Sequence, residues 1–336
     1  MHIPENYLSP ATCGVMTAVM VPVWAYAIKK VKDKIPKEKM ALLGICAAFS
    51  FLGMMFNVPL PGGTTGHAVG GTLIAIILGP EAACISVTIA LLIQALLFGD
   101  GGILAFGANC FNMAFLLPFA GYGVYKLLQK LFKNSEKTKY VSAALGSYVG
   151  LNLAALAAAI EFGIQPSIAH DAAGNALYCP YGLSVSIPAM MIGHLTIFGL
   201  AEAIFTVAIF AFVSKTDPGA IKTGEKTNNK ALYILLGVLV VLTPLGLLAE
   251  GTAWGEWGVD EIHEVTSKGV QLGYTPAGMT KGFSWESIMP DYTIGTLPDI
   301  LAYILSAVIG TAILVIVFRL IAAAMKSKTD YSKKSA

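Results

Sequence analysis

Long apolar runs separated by short polar stretches constrain this chain more than any other feature. They occupy nine segments: 10–28, 40–58, 68–79, 82–98, 103–125, 140–160, 185–213, 231–249 and 300–322. Only 12% of the residues are charged, against about 25% in soluble domains. Most of the runs approach the ~20 residues that a helix needs to cross a bilayer, so the sequence predicts an all-α polytopic membrane protein. The third run is short, which predicts a helix that is broken or buried in protein.

The basic residues indicate how the chain is oriented. Almost all of the 22 lysines and arginines fall in four segments: 29–39, 126–139, 214–230 and 319–334. Nine crossings place all four segments on one side, which the positive-inside rule assigns to the cytoplasm. The sequence therefore predicts a multi-pass protein of the cell membrane with its amino terminus outside and its carboxyl terminus in the cytoplasm.

The chain is expected to divide into two modules. Residues 1–213 hold seven spans, residues 214–230 read as a polar cytoplasmic linker, and residues 231–336 hold two spans around an external segment, 250–299. Eight acidic residues lie in that external segment, against two lysines. Two interpretations stay open: the acidic residues raise the local cation concentration, or they form an ordinary solvated loop.

The first ten residues, MHIPENYLSP, carry a candidate metal site. They lack the features of a signal peptide, so Met1 is expected to be retained with a free amine. That amine and the main-chain nitrogen of His2 close a five-membered ring on a metal ion, and the main-chain and imidazole nitrogens of His2 close a six-membered one. His67, in a glycine-rich loop on the same predicted face, is the expected fourth donor. Planar coordination by nitrogen is typical of Ni(II) and Cu(II).

The alternative is that His2 is a solvated residue near a terminus, which is the common case. Three features favour the metal site over it. The terminus is short and leads directly into an apolar run, His67 lies on the same face, and the glycines around His67 allow a close approach of the main chain.

Four stretches carry a resemblance to a known family: MHIPENYLSP, MMFNVPLPGGTTGHAVGGTLIAIILGP, ALLIQALLFGDGGILAFGANCFNMAF and GHLTIFGLAEAIFT. With them, residues 1–213 resemble the substrate-binding membrane component of nickel/cobalt energy-coupling-factor (ECF) transporters, the CbiM/NikM family. The resemblance implies an amino terminus that folds into the bundle and a metal held by Met1, His2 and His67. Residues 231–336 resemble the accessory N component of these transporters.

The resemblance also implies partners, namely a transmembrane coupling (T) subunit and two cytoplasmic ATPases. The chain itself contains GAIKTGEKT at 219–227, which lacks the adjacent Gly-Lys pair of a phosphate-binding loop. ATP hydrolysis is therefore expected on the partner subunits, and the chain is not predicted to be an enzyme. No prosthetic group and no nucleic-acid partner are expected, and the bound Ni(II) or Co(II) ion is cargo.

Several polar residues leave alternatives open. Asp100 is either an acceptor that orders the metal site or a turn former. Asn109 and Asn112 either hold the amino terminus or pin one helix to another. His194 and Glu202, within the seventh span, suggest a coupling contact or a proton relay. Two histidines of the predicted external loops either capture metal or are simply solvated: His170 and His263.

The leading hypothesis is the metal-binding subunit of an ATP-driven importer for Ni(II) or Co(II). Nickel is favoured, because a planar site with four nitrogen donors suits it and because GGTTGHAVGG is closer to the nickel-type members. One alternative is a stand-alone secondary carrier, for which His194 and Glu202 are the available relay groups. Another is a membrane metalloenzyme, but no HExxH helix is present.

Overall fold

The computed structural model describes residues 1–36, 39–60, 64–133, 135–221, 229–249, 251–267 and 270–324. The described chain is mainly helical, which confirms the predicted all-α fold. Its helices are α1 (Pro10–Lys34), α2 (Met40–Met55), α3 (Gly71–Leu78), α4 (Pro80–Ile93), α5 (Phe106–Asn109), α6 (Leu117–Leu131), α7 (Lys139–Gly163), α8 (Gln165–Ile168), α9 (Leu183–Gly193), α10 (Gly199–Thr216), α11 (Pro218–Ile221), α12 (Lys230–Leu242), α13 (Ala277–Lys281) and α14 (Asp299–Ala324).

Shorter segments complete the secondary structure. Two antiparallel hairpins pair β1 (Val58–Leu60) with β2 (Thr64–Gly66) and β3 (Thr266–Ser267) with β4 (Val270–Gln271). π-helical turns occupy Gln94–Phe98, Cys110–Leu116 and His194–Phe198, and 3₁₀ turns occupy Thr243–Leu248 and Pro290–Tyr292.

Six helical stretches of the described chain are long and apolar enough to cross a bilayer. They are Pro10–Lys34, Pro80–Phe98, Lys139–Ile168, Leu183–Thr216, Lys230–Leu248 and Asp299–Ala324. Helix α2 is apolar but has only 16 residues, and the fifth predicted span is built from α5, a π-helical turn and α6. Helices thus occur at all nine of the predicted spans, seven within residues 1–213 and two beyond residue 229.

The third predicted span, 68–79, is much shorter than a bilayer. Only α3 is helical there, and its eight residues rise about 12 Å, against a hydrocarbon core of about 30 Å. Residues 67–70 before it are irregular in backbone and buried. Irregular backbone at this depth is tolerated where protein surrounds it, as the sequence predicted for this segment.

Two ends of the bundle are distinguished by their contacts. At the basic end, Lys34 of α1 forms an ion pair with Glu81 of α4 at 3.3 Å. At the amino-terminal end, the amide of Gly102 donates to the carbonyl of Ile3, and the amide of Cys179 donates to the carbonyl of Tyr7. The chain's amino terminus therefore folds against loops that connect helices of the first seven segments.

The second module shares the core of the first. Helix α14 packs along α2, where a side chain at Gly44 would place its Cβ 3.0 Å from Cβ of Phe318. The hydroxyl of Tyr303 donates to the carbonyl of Met55 at 2.8 Å. The described residues of segment 251–298, between α12 and α14, extend over the amino-terminal end of the bundle, where they contact residues 1–7.

The predicted linker, 214–230, is not a polar spacer throughout. Helix α10 continues to Thr216, and α11 follows with Gly219 and Ala220 buried. The carbonyl of Gly219 accepts a hydrogen bond from Lys39 at 3.1 Å. Residues 222–228 lie outside the described residues, as does the basic tail from residue 325.

Helices α6 and α7 approach closely at Gly121, and this contact generates a prediction. A Cβ at Gly121 would lie 2.9 Å from the main-chain oxygen of Gly146 and would clash with Thr72 of α3. Overpacking of this kind costs about 1–3 kcal/mol. We expect Gly121→Leu to lower the melting temperature of the purified protein in detergent by about 5 °C or more.

Gly123 provides the matched control on the same helix. A Cβ at Gly123 meets no heavy atom within 4 Å. Gly123→Leu should leave the melting temperature within about 1 °C of the original protein, since exposed substitutions rarely exceed a few tenths of a kcal/mol. Equal melting temperatures for the two variants would contradict the close packing at Gly121.

Candidate metal site

The first nine residues fold into the amino-terminal end of the bundle. Met1, His2 and Ile3 are buried, with exposed fractions of 5%, 3% and 0%. A charged terminus and main-chain polar groups are expensive to bury unless each finds a partner. The partners of this segment therefore explain why it stays in place.

Asn109 binds both main-chain groups of Ile3. Its amide oxygen accepts from the nitrogen of Ile3 at 2.7 Å, and its amide nitrogen donates to the carbonyl of Ile3 at 3.0 Å. Gly102 donates to the same carbonyl at 2.9 Å. A Cβ at Gly102 would lie 2.8 Å from Cα of Glu5, so this loop needs a glycine where the terminal segment passes. Of the two interpretations of Asn109, the structure supports the one in which it holds the amino terminus.

Three further residues anchor the segment. The Glu5 carboxylate accepts from the amides of Ile103 at 2.6 Å and Leu104 at 3.3 Å. The Tyr7 hydroxyl donates to the carbonyl of Trp257 at 2.7 Å. Ser9 caps α1 by accepting from the amide of Thr12, so the helix begins directly after the buried segment.

The two predicted histidine ligands lie side by side. The ring centroids of His2 and His67 are 4.9 Å apart, and both rings are buried. Nδ1 of His67 lies 3.3 Å from the carbonyl of Ala68, and a carbonyl can only accept. Nε2 of each ring has no hydrogen-bond partner among the described residues. A neutral ring that donates from Nδ1 carries its lone pair on Nε2, which is the usual orientation of a metal-binding histidine.

Asp100 is the partner of the His2 ring. Its Oδ1 lies 3.0 Å from Nδ1 of His2, and its Oδ2 accepts from the Tyr292 hydroxyl at 2.5 Å and from Gln94 at 3.0 Å. Burial alone would raise the pKa of Asp100, but the His2 imidazole and the Tyr292 hydroxyl hold it well below its usual range. Asp100 is therefore an acceptor at the site and more than a turn former.

The terminal amine is paired with the second module. The ammonium nitrogen of Met1 lies 2.7 Å from Oε1 of Glu256. Burial lowers the pKa of His67 well below its usual range, and the nearby terminal ammonium and His2 lower it further. His67 is thus neutral at pH 7, with its Nε2 lone pair available to a metal ion.

One feature of the predicted chelate differs in the structure. A six-membered ring through the main-chain nitrogen and the imidazole of His2 uses Nδ1, because Nε2 lies too far around the ring. Nδ1 faces Asp100, and Nε2 is the ring nitrogen without a partner. In the structure, Nδ1 of His2 is therefore engaged by Asp100 and does not close the predicted chelate ring. The physical reason is that a carboxylate within hydrogen-bonding distance competes for Nδ1.

Glu202 holds the loop that carries His67. Its carboxylate accepts from the amide of Val69 at 2.7 Å and from the amide of Gly70 at 3.1 Å. These amides lie in the loop before α3 and would otherwise be unpaired donors inside the bundle. Ser50 completes the support by donating to the carbonyl of Val69 at 2.8 Å. Glu202 thus holds the loop before α3, a role that neither of the two sequence interpretations anticipated.

The other singled-out residues lie at varying distances from the site. Asn112 does not contact the amino terminus, because it donates to Glu161 at 2.7 Å and pins two helices together. His194 faces the carbonyl of its own helix neighbour Met190 at 2.8 Å and shares a small pocket with Met1. The two loop histidines, both outside the site, are His170 and His263.

The five cysteines are free and buried. Cys179 lies in the loop between α8 and α9. The loop folds over the terminal segment, so the Cys179 amide binds the Tyr7 carbonyl and its thiol is fully buried.

Side chains alone do not make a metal site here. Among the described residues, no group of three or more His, Cys, Asp or Glu side chains is arranged to hold a metal ion. A site at His2 and His67 therefore depends on donors from the terminal amine and the main chain. π-helical turns adjoin several residues around it, including Gln94, Asn109 and His194, and such turns are frequent at functional sites.

Comparison with known proteins decides the family. Residues 2–220 match the family described as CbiM, cobalt uptake substrate-specific transmembrane region. The chain belongs to the CbiM family. Residues 228–327 match the PDGLE domain, so the second module is a separate family unit joined to the CbiM region.

Similar proteins share this fused organisation. The probable fused nickel transport protein LarMN of Lactiplantibacillus plantarum is 50% identical, with 99% of this chain and all of that protein covered. The fused nickel transport protein NikMN of Rhodobacter capsulatus is 44% identical, with 94% of this chain and 95% of that protein covered. The crystal structure of a truncated transition metal transporter is 58% identical with a TM-score of 0.60, and covers 63% of this chain and 98% of its own.

The two asparagines of the fifth span give a paired prediction. Asn109→Ala removes the acceptor of the buried Ile3 amide, at a cost of about 1–3 kcal/mol. We expect amide hydrogen exchange within residues 2–6, measured by mass spectrometry, to quicken about tenfold or more. Asn112→Ala is the matched control and should leave exchange of this segment unchanged, because Asn112 bonds to Glu161. Equal exchange in both variants would show that Asn109 does not hold the terminus.

Proposed function

We propose that this CbiM-family chain is the metal-binding subunit of an ATP-driven ECF-type importer for Ni(II) or Co(II). It captures the ion outside the cell through the Met1 amine, His2 and His67. The observation that carries the proposal is the pair of buried histidines, 4.9 Å apart, whose Nε2 atoms have no partner among the described residues and which adjoin a buried terminal amine. Buried polar atoms without partners are costly, and a metal ion bound to His67 would satisfy its Nε2.

Loading the ion exchanges protons for metal. The Met1 amine and the His2 main-chain nitrogen each lose a proton when they bind a metal ion, and the His2 ring gives up its contact with Asp100 so that Nδ1 closes the six-membered ring. The Glu256 carboxylate contacts the Met1 amine and is placed to pass its proton to solvent, whereas Asp100 contacts the ring of His2. Metal binding should therefore tighten as pH rises, since the protons are released.

Nickel is the favoured cargo. Four nitrogen donors in a plane match the preference of Ni(II), whereas Co(II) seldom requires this geometry. Relatives of the same fused organisation are named as nickel transport proteins. Copper would bind such donors more tightly still, so selectivity against it depends on metal availability and on the shape of the site.

The importer has a defined set of partners in this proposal. A transmembrane coupling subunit and two cytoplasmic ATPases supply the energy, since residues 219–227 lack a nucleotide-binding signature. Residues 1–213 act as the substrate-binding component and residues 231–336 as the accessory one, with the amino terminus outside. A secondary carrier is less favoured, because Glu202, one of its two candidate relay groups, binds the amides of Val69 and Gly70.

The site is tested by removing its donors. His2→Ala and His67→Ala should each weaken Ni(II) binding, measured by titration calorimetry, by about 100-fold or more, and should remove the d–d band of a planar site. A several-residue extension before Met1 should do the same, because it displaces the amine. His170→Ala, an exposed histidine away from the site, is the control and should bind as the original protein does.

ATP-driven import is tested separately from metal binding, by measuring transport. In proteoliposomes, Ni(II) uptake should require the ATPase partners and ATP, and should be lost in His67→Ala. Uptake by the chain alone would instead support a secondary carrier, and unchanged binding in both histidine variants would exclude this metal site.

Because Glu202 holds the loop that carries His67, we expect Glu202 and His67 to be energetically coupled in metal binding. Glu202→Gln keeps the size of the side chain but loses an acceptor for the amides that hold the His67 loop. We expect Ni(II) affinity to fall by about 10-fold, which is in the range for groups that orient a ligand. In the His67→Ala background the same change should have little effect, since the loop then carries no ligand. Equal losses in both backgrounds would show a general structural role.

A further inference from the structure

A polar cavity lies between the two modules. Its volume is about 360 Å³, and its walls include His2, His67 and Asp100 from the CbiM region and Glu256, Asp291 and Tyr292 from the PDGLE region. We call this space the access cavity. It reaches the two histidines whose Nε2 atoms have no partner among the described residues.

The charge of the access cavity is suited to cations. Three carboxylates line it, and the described residues of its wall include no lysine or arginine. Two of these carboxylates are already engaged, Glu256 with the Met1 amine and Asp100 with His2. Asp291 differs, because its side chain is exposed and has no ion-pair or hydrogen-bond partner among the described residues.

The size of the access cavity indicates which form of the ion it takes. Six water molecules occupy about 180 Å³ at liquid density, so a divalent cation fits there with its first hydration shell. The histidine pair offers no such room, since both rings are almost fully buried. The two places therefore differ in chemistry: a carboxylate site for a hydrated ion, and a nitrogen site for an ion that has shed its water.

We propose that the access cavity contains a second metal site, in which Asp291 holds a hydrated divalent transition-metal cation before it passes to His2 and His67. The carboxylate binds the ion through its water shell, and the neighbouring negative charges of Asp100 and Glu256 strengthen the local field. This proposal rests on the proposed function and adds to it an outer site with a residue of the PDGLE region as its ligand.

A neighbouring observation is consistent with this role. Partial burial of the exposed Asp291 side chain raises the pKa of its carboxyl, and the negative charges of Asp100 and Glu261 raise it further. The carboxylate thus lies in a field of like charge that a divalent cation would relieve.

Stopped-flow mixing of Ni(II) with the purified full-length protein tests the outer site. Nickel quenches tryptophan fluorescence, and Trp254 lies in a pocket with Met1. A hydrated ion held before a slower transfer makes the observed rate level off as Ni(II) increases. We expect Asp291→Asn to raise the half-saturating Ni(II) concentration by roughly 3- to 10-fold, with an unchanged limiting rate.

Asp260→Asn is the matched control. Asp260 is exposed, lies in the same module and does not line the access cavity, so its variant should match the original protein in both parameters. Asn tolerates positive φ well, and Asp291 has φ +50°, so Asp291→Asn preserves the backbone at this turn.

Two outcomes would overturn the outer site. One is an observed rate that stays linear in Ni(II) up to millimolar concentration in the original protein. The other is a half-saturating concentration that is the same in Asp291→Asn and Asp260→Asn. Failure of the proposed function is distinct from both, because it shows as unchanged equilibrium Ni(II) binding in His67→Ala.

Discussion

The burial of the chain's own amino terminus is the constraint on which the rest of the site depends. A charged amine and several main-chain donors are taken out of water, and each must find a partner or cost about 1–3 kcal/mol. Asn109 pairs with both groups of Ile3, Glu5 binds two amides of the 103–104 turn, and Glu256 pairs with the amine. The loop of residues 99–105, rich in glycine, is shaped to let this segment pass.

The same rule of paired polar groups explains the half-helix α3. Its eight residues leave His67 and the following turn well inside the bundle, where water is scarce. Glu202 and Ser50 supply the missing partners from two other helices, so the position of His67 is fixed by contacts that converge from α2 and α10. An ionisable residue in a membrane helix often marks a transport pathway, but here Glu202 binds two main-chain amides of the loop that carries His67.

Much of this architecture follows from the sequence, and the remainder has a common cause. Apolar runs locate the helices, and alternation of spans puts His2 and His67 on one face, where the structure brings their rings together. The partners Glu256 and Tyr292 are about 250 and 190 residues away from the groups that they bind. Nothing local to either residue signals such a contact, because it arises only when the second module folds over the first. Packing likewise determines which ring nitrogen of His2 faces Asp100, and spacing along the chain does not indicate it.

The position of the second module affects the protonation of the groups at the candidate site. A site made of a terminal amine and main-chain nitrogen binds metal only when those groups lose protons, and a bare buried amine would have no nearby acceptor. Glu256 supplies a carboxylate at 2.7 Å, and Tyr292 orients the carboxylate that faces His2. Fusing the two modules keeps these groups at a fixed stoichiometry beside the terminus. The PDGLE region is therefore part of the wall of the candidate site, and its removal would change the environment of the amine and of Asp100 together.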